Sequence, residues 1–353
     1  MHWELNEEQE LFASSLREWL TARFPADVVR EMGTADERAR FTSALVDEGW
    51  WGVGYPEEVG GQGGAILELA LAAREFGRAA APDARWLAGA IAAPLLDDDE
   101  LAAHVTGDTA FAVAIPGDRL PDSAAPLVLD ENAVSGEVCQ VVAAEGAEVF
   151  LVPVSGGGYA RVAAADAEVR PKNLLDRSRS AATVRFDASP AARVAPAGEG
   201  AAARVAVLAA VLVSSAALGS AERMLDLTVE YSKQRKQFGQ PIGAFQAVKH
   251  AAAQMLVTVE AARSVALYAA AAADAGLEDT ELIAAVAKAQ STGSIAELAE
   301  SALTVHGAIG YTWEHDLHLF YKRAKLDRVL FGTPGAWNER IAANVIDRAA
   351  SPA

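Results

Sequence analysis

The sequence predicts a mainly α-helical protein with a small β-module in its middle. Three observations carry that expectation. Apolar residues near the start recur at helical spacing, as Leu5, Phe12, Leu16, Trp19 and Leu20 do. From about Phe111 to Val194 the texture turns to short apolar runs between turn residues. Beyond about Gly200 the chain is rich in alanine, and the stretches 201–240 and 244–333 hold no proline, which suits long, closely packed helices. The expected order is therefore a helical segment over 1–108, a β-barrel-like segment over 109–197 and a four-helix bundle over 198–353.

In the first segment the helical pattern continues through Leu45, Val46 and Trp50. A loop from Tyr55 to Gly64, with Pro56 and four glycines, interrupts it. Helix resumes at Ile66 and runs through Phe76, and the Trp50–Trp51 pair reads as core. In the second segment Phe111–Ile115, Leu127–Leu129 and Val149–Val152 read as strands, divided by Pro116-Gly117-Asp118, Asp130-Glu131-Asn132 and Ser155-Gly156-Gly157-Gly158. In the third, a helix ending near Gly239 and another starting around Ala244 make a corner with Pro241 between them. The apolar run Val205–Leu218 includes Ser214 and Ser215 and reads as a buried helix rather than a membrane span. The first residues, Met1 to Glu8, are acidic and lack the basic start of a secretory signal.

Composition narrows the function. Of 353 residues, 52% are hydrophobic and 22% charged, which excludes disorder over the whole chain. Acidic residues number 48 against 30 basic ones, a net charge of -18 without any long Lys/Arg run, so a nucleic-acid partner is not expected. The single cysteine, Cys139, rules out an intramolecular disulfide and any CxxC metal site. It reads as a small buried apolar residue and points to the reducing cytoplasm. The six histidines form no HExxH pattern, and no metal is expected.

The corner after residue 230 brings Arg235, Gln237 and Gln246 together. An arginine fork suits phosphate oxygens, and Phe238 beside it suits a flat ring. On residue chemistry alone, a solvated, glycine-capped helix end is the better reading.

Three blocks tie the sequence to a known family. Arg235-Lys236-Gln237-Phe238-Gly239 followed by Ile242 and Phe245-Gln246 resembles the R-x-x-F-G…I…F-Q pattern of the acyl-CoA dehydrogenases. Val305 to Glu314, with His306-Gly307-Ala308-Ile309-Gly310-Tyr311-Thr312, is similar to their H-G-G-x-G-[YF]-T-x-E stretch. Pro56 to Gly63 is similar to their P-E-x-x-G-G-x-G loop. The resemblance implies the family's three-part fold and an FAD enzyme of lipid metabolism (β-oxidation), in which a carboxylate base takes the α-proton of an acyl-CoA. It implies FAD shared across a subunit interface of a dimer or tetramer, and an electron-transfer acceptor. By position, Arg235, Gln237, Phe238 and Gln246 would contact the neighbouring subunit's FAD. His306, Gly307 and Ala308 would lie against its diphosphate, and Thr333 would belong to the same cofactor set.

The sequence also departs from the family. Phe331 stands where the catalytic glutamate precedes Gly332-Thr333, and it cannot accept a proton. The alternative position of that glutamate falls at or near Ala209. Two nearby carboxylates are candidates: Glu314, read as a solvated or capping residue, and Asp327, read as a surface ion pair with Arg323. The strands that would face flavin, at 114–118 and 136–142, lack the family's tryptophan and Ser/Thr donors. Ala308 replaces a glycine and Thr304 a glutamine. The resemblance thus implies one subunit of a hetero-oligomer whose homologous partner supplies the base. The alternatives are an inactive assembly paralogue or a flavin-independent CoA-thioester enzyme.

Overall fold

A computed structural model of the chain describes residues 5–195 and 200–350. The residues before Leu5 and the expected 197/198 boundary lie outside it. Six helices open the fold: α1 (Glu7–Arg23), α2 (Ala26–Glu31), α3 (Ala35–Asp47), α4 (Ile66–Ala79), α5 (Ala84–Ala92) and α6 (Asp98–Val105). Three of them start with reciprocal caps written in the sequence: Asn6 with Gln9, Thr34 with Glu37 and Asp97 with Glu100. Their core is aromatic, with Phe41, Phe76 and Trp86 meeting edge to face at 5.6 and 5.0 Å. Trp51 is buried there and Trp50 half-buried. In the glycine loop a Cβ on Gly61 would lie 2.2 Å from the Tyr55 carbonyl oxygen, so only glycine lets the two backbones meet.

Eight strands follow: β1 (Phe111–Val113), β2 (Val128–Asp130), β3 (Ala133–Val142), β4 (Val149–Pro153), β5 (Tyr159–Ala163), β6 (Glu168–Lys172), β7 (Ala181–Pro190) and β8 (Arg193–Ala195). They form two four-stranded sheets, ordered β1-β4-β5-β8 and β2-β3-β7-β6, in which only the β1–β4 pairing is parallel. Phe150 of the first sheet meets Phe186 of the second edge to face at 5.9 Å. Cys139 corrects its sequence reading, because it is exposed. A register shift between Val138 and Val141 turns Cys139 and Gln140 outward while both valines stay in the core.

The rest is helical: α7 (Ala201–Gln234), α8 (Gln246–Asp274), α9 (Thr280–His306), α10 (Leu317–Val329) and α11 (Pro334–Ala350). The last two helices both pack on α9, beside α7 and α8. Both α7 and α8 have the length and apolarity of a membrane span by composition alone. The most apolar stretch of α7 is 83% buried inside the protein, as befits a bundle core, and that of α8 is 44% buried. Helix α7 also crosses α4 at backbone contact, where a Cβ on Gly219 would sit 1.8 Å from the Arg74 carbonyl oxygen.

Candidate functional site

The predicted helix corner proves to be a hairpin. Helix α7 stops at Gln234 rather than near Gly239, and strands β9 (Lys236–Gln237) and β10 (Gln240–Pro241) pair across a two-residue turn. Phe238 and Gly239 fill that turn with φ of 51° and 79°, the left-handed pair that a tight hairpin demands. Gly239 adopts it freely, whereas Phe238 carries strain. The Phe238 ring is nevertheless 92% exposed and touches Phe245 edge to face at 6.1 Å. Arg235, Gln237 and Gln246 are also exposed, so the structure brings all four sequence candidates to one solvent-facing corner.

The second block meets the same end of the bundle. His306 closes α9 and stacks on Tyr231 of α7 at 4.6 Å and 20°. Its Nδ1 pairs with the Ala302 carbonyl at 2.8 Å, and its Nε2 is buried without a partner among the described residues. Burial holds the imidazole below the usual histidine range. Gly307 then turns the chain at φ 65°, with open space where a Cβ would stand. Ala308 is exposed in the 3-10 turn that follows, and Glu314 is exposed just beyond it, as expected of a solvated residue.

Phe331 and Thr333 lie elsewhere. Gly332 is bound by Lys288, which precedes His306 by 18 positions on α9, or roughly 27 Å along a helix. Phe331 has φ 54° and is 3% exposed. Its amide donates to the Gly117 carbonyl at 2.7 Å, and the Trp337 indole donates to its carbonyl at 3.0 Å. The loop after β1 straps this turn: the Leu120 side chain packs on Gly332, and Asp122 pairs with Arg340 of α11. Leu87, Ile91, Ile115, Leu212, Val213, Leu330 and Phe331 are buried in one continuous core. Thr333 is exposed and accepts the Ala336 amide at 3.2 Å, as the start of α11 requires. Ala209, the alternative base position, is buried in α7.

Asp327 overturns its sequence reading. It is fully buried and pairs with Arg179 at 2.6 Å, not with Arg323 on the surface. Arg323 is itself buried and turns to Asp176, Asp83 and Ser178. Arg179 grips Asp83 through two bonds of 2.9 Å. The network thus joins the α4–α5 junction, the β-module and α10. Burial raises the Asp83 carboxyl, but Arg179 and Arg323 outweigh it and hold the group below its ordinary value. Burial wins at Asp327, whose carboxyl is raised and whose Oδ2 has no partner among the described residues. Lys288 supplies a third cation. Its ammonium donates to the Asp327 and Gly332 carbonyls at 3.1 and 3.0 Å, and burial lowers its pKa to about 7. No sequence signal marked these partners, because they are far apart in the chain. A cavity of about 520 Å³ among α1, α4, α7 and α10 holds neither Phe331 nor any residue of the hairpin.

Comparison with known proteins covers most of the chain. The acyl-CoA dehydrogenase N-terminal domain matches residues 6–97, and the acyl-CoA dehydrogenase C-terminal domain matches residues 198–346. The chain is 32% identical to acyl-CoA dehydrogenase IpdE2 of Mycobacterium tuberculosis, over 93% of this chain and 97% of that protein. It is 36% identical to acyl-CoA dehydrogenase FadE34 of the same organism over 89% of its length, but spans only 43% of that longer protein. Among solved structures, the ChsE4-ChsE5 complex from Mycobacterium tuberculosis shares the fold, with a TM-score of 0.86, 23% identity and full coverage of both chains.

Proposed function

This chain belongs to the acyl-CoA dehydrogenase family, and we propose that it serves there as a non-base-bearing subunit of an FAD-dependent enzyme. In this reading it grips the adenosine-diphosphate end of FAD, and a homologous partner supplies the carboxylate that takes the α-proton of the acyl-CoA. The observation that carries the reading is the contrast between an exposed, strained Phe238 and a sealed Phe331.

The residues at the hairpin fit a nucleotide diphosphate. Arg235 is exposed and free of any ion pair among the described residues, a planar fork open to phosphate oxygens. Phe238 offers a ring face to an adenine, and Gln246 offers an amide at the start of α8. The open space at Gly307 admits a phosphate against the backbone. The turn at Phe331 does not fit a flavin ring, because Phe331 is buried and Leu120 and Trp337 pack on Gly332. When bound, FAD supplies the hydride acceptor for α,β-desaturation. Within this chain the hairpin binds and orients, and the strapped core at Phe331 keeps water and substrate out.

Two further observations support a homologous partner. The uncovered side of α8 presents Leu256, Val257 and Tyr268 to solvent, a face that a second bundle would bury. A protein of the same fold, ChsE4-ChsE5, is itself described as a complex. The test is flavin content after expression alone and with neighbouring homologous chains. Yellow protein is expected only from the pair, with Arg235→Ala lowering its flavin occupancy. A flavin-loaded, active homogeneous chain would overturn the division of labour, and a colourless pair would make this an assembly paralogue.

A further inference from the structure

A different polar site lies where α3 and the start of α5 meet the β-module. It is a cavity of about 200 Å³ lined by Arg38, Thr42, Arg85, Glu145 and Ser180 among others. None of these residues belongs to the hairpin or to the Phe331 turn. Their charges do not cancel. Arg38 is satisfied, since it pairs with Glu145 at 2.7 Å and donates to the Gly33 carbonyl at 3.0 Å. Arg85 is not. Among the described residues it has no hydrogen-bond or ion-pair partner, and its Nε is sealed from solvent.

Three physical terms make that arginine uncomfortable. Burial lowers its pKa, opposed only by the charge of Glu148. The Glu148 carboxylate accepts the Ala110 amide at 2.8 Å and forms no ion pair with Arg85. Arg85 is also the second residue of α5, where the helix dipole disfavours a cation. Arg85 is half-buried, so its guanidinium is short of both full solvation and a counterion, and a cavity beside it is where the counterion belongs. Thr42 is buried yet lines that cavity, and Ser180 lines it too, so two hydroxyl-bearing residues stand beside Arg85. The acidic Asp36 at the rim is exposed, and Glu145 is already neutralised, so neither occupies Arg85.

We propose that this cavity is a binding site for a small oxyanion, a phosphate or a short carboxylate, held by Arg85 with the Thr42 and Ser180 hydroxyls. Its volume admits one such group and excludes a nucleotide. The site is independent of the FAD reading, and its occupation ties the helical N-terminal part to the β-module.

The test is thermal unfolding and calorimetric titration of the full chain with sodium phosphate and with sodium acetate, against sodium chloride at matched ionic strength. The expected result is a saturable rise in Tm with phosphate or acetate that chloride does not give. Arg85→Met should weaken that binding by about tenfold or more, the loss of a charged hydrogen bond. Thr42→Val, which keeps the volume, should weaken it less. Arg40→Met, at an exposed arginine on the neighbouring α3 surface, should leave it unchanged. A response to phosphate alone, or to acetate alone, tells which oxyanion the site takes. Equal responses to all three salts, or a response that survives Arg85→Met, would overturn the proposal.

Discussion

Phe238 and Phe331 are both phenylalanines held in the left-handed region, at φ 51° and 54°. One stands in solvent at the tip of a hairpin, and the other is sealed beneath the strap that follows β1. Left-handed backbone costs an L-residue roughly 1–2 kcal/mol. At Phe331 the fold itself offsets that cost, through ring burial and hydrogen bonds to Gly117 and from Trp337. At Phe238 this chain offers only an edge contact with Phe245. Strain that persists without local compensation marks a residue shaped for something outside the chain. The pair contrasts one end of the bundle that is closed within the chain with another whose ring is left open to solvent.

The sealed end should respond to alkaline pH through Lys288. The folded-state pKa of Lys288, about 7, lies below its ordinary 10.5. Between those values the unfolded chain holds more protons, so stability should rise as pH rises through that window and be lost again as pH falls through it. The shift corresponds to at most roughly 5 kcal/mol. Urea unfolding between pH 7 and 10 should show the slope, and Lys288→Met should flatten it. A slope that persists in Lys288→Met would place its origin elsewhere.

Arg179→Met should cost about 3–5 kcal/mol, because it leaves Asp83 and Asp327 buried without their shared cation. Arg235→Ala at the open end should cost under about 0.5 kcal/mol. Equal losses in denaturant titration would erase the distinction between the two ends. In turnover, the chain supplied with excess FAD but without a partner should be slower than the assembled enzyme by ~100-fold or more, the ordinary worth of a general base. Steady-state assays of both forms decide this, and comparable rates would point back to a carboxylate of this chain.

Away from both ends, His104 offers a smaller acid effect. It is buried beneath Trp51 and Tyr55, and desolvation lowers its pKa from 6.5 to about 4. The unfolded chain binds the proton first, so stability should fall as pH drops from about 6.5 towards 4, by roughly 3 kcal/mol in all. His104→Gln should remove that part of the acid limb in a pH series of melts. The smallest effect is the most telling for the comparison. Phe238→Asn should leave the protein as stable or stabilise it by up to ~1 kcal/mol, since asparagine tolerates the left-handed turn. It should nevertheless lower flavin occupancy of the assembled complex, and unchanged occupancy would deprive the exposed ring of its role.

Much of the molecule was legible in the sequence because its cues are local. Capping pairs three residues apart, such as Asn6 with Gln9, announce helix starts. Three strands stood out as apolar runs between turn residues. Strand β7 was missed although its burial alternates from Val184 to Asp187, because Arg185 and Asp187 on its outer face dilute the apolar signal. Strand β3 was recognised only in part, since Gly136 and the bulge at Cys139–Gln140 break its period. The hairpin residues were all named, but as a helix end, since a phenylalanine is an improbable occupant of a left-handed turn.

The sequence by itself determined the α–β–α order, the family resemblance and the absence of a carboxylate at position 331. Each is a property of residue type and short-range spacing. Tertiary structure alone decided the rest. It put Asp327 in the core with Arg179, 148 positions away in the chain, and placed the Phe331 turn far along α9 from His306. It also left Arg85 half-buried beside a cavity, its guanidinium without a hydrogen-bond acceptor among the described residues. The physical reason is that the worth of a charge depends on its dielectric surroundings and on the partner it meets. Both are set by elements distant in sequence, so a string of residue types shows that a charge exists but not what it costs or what it holds.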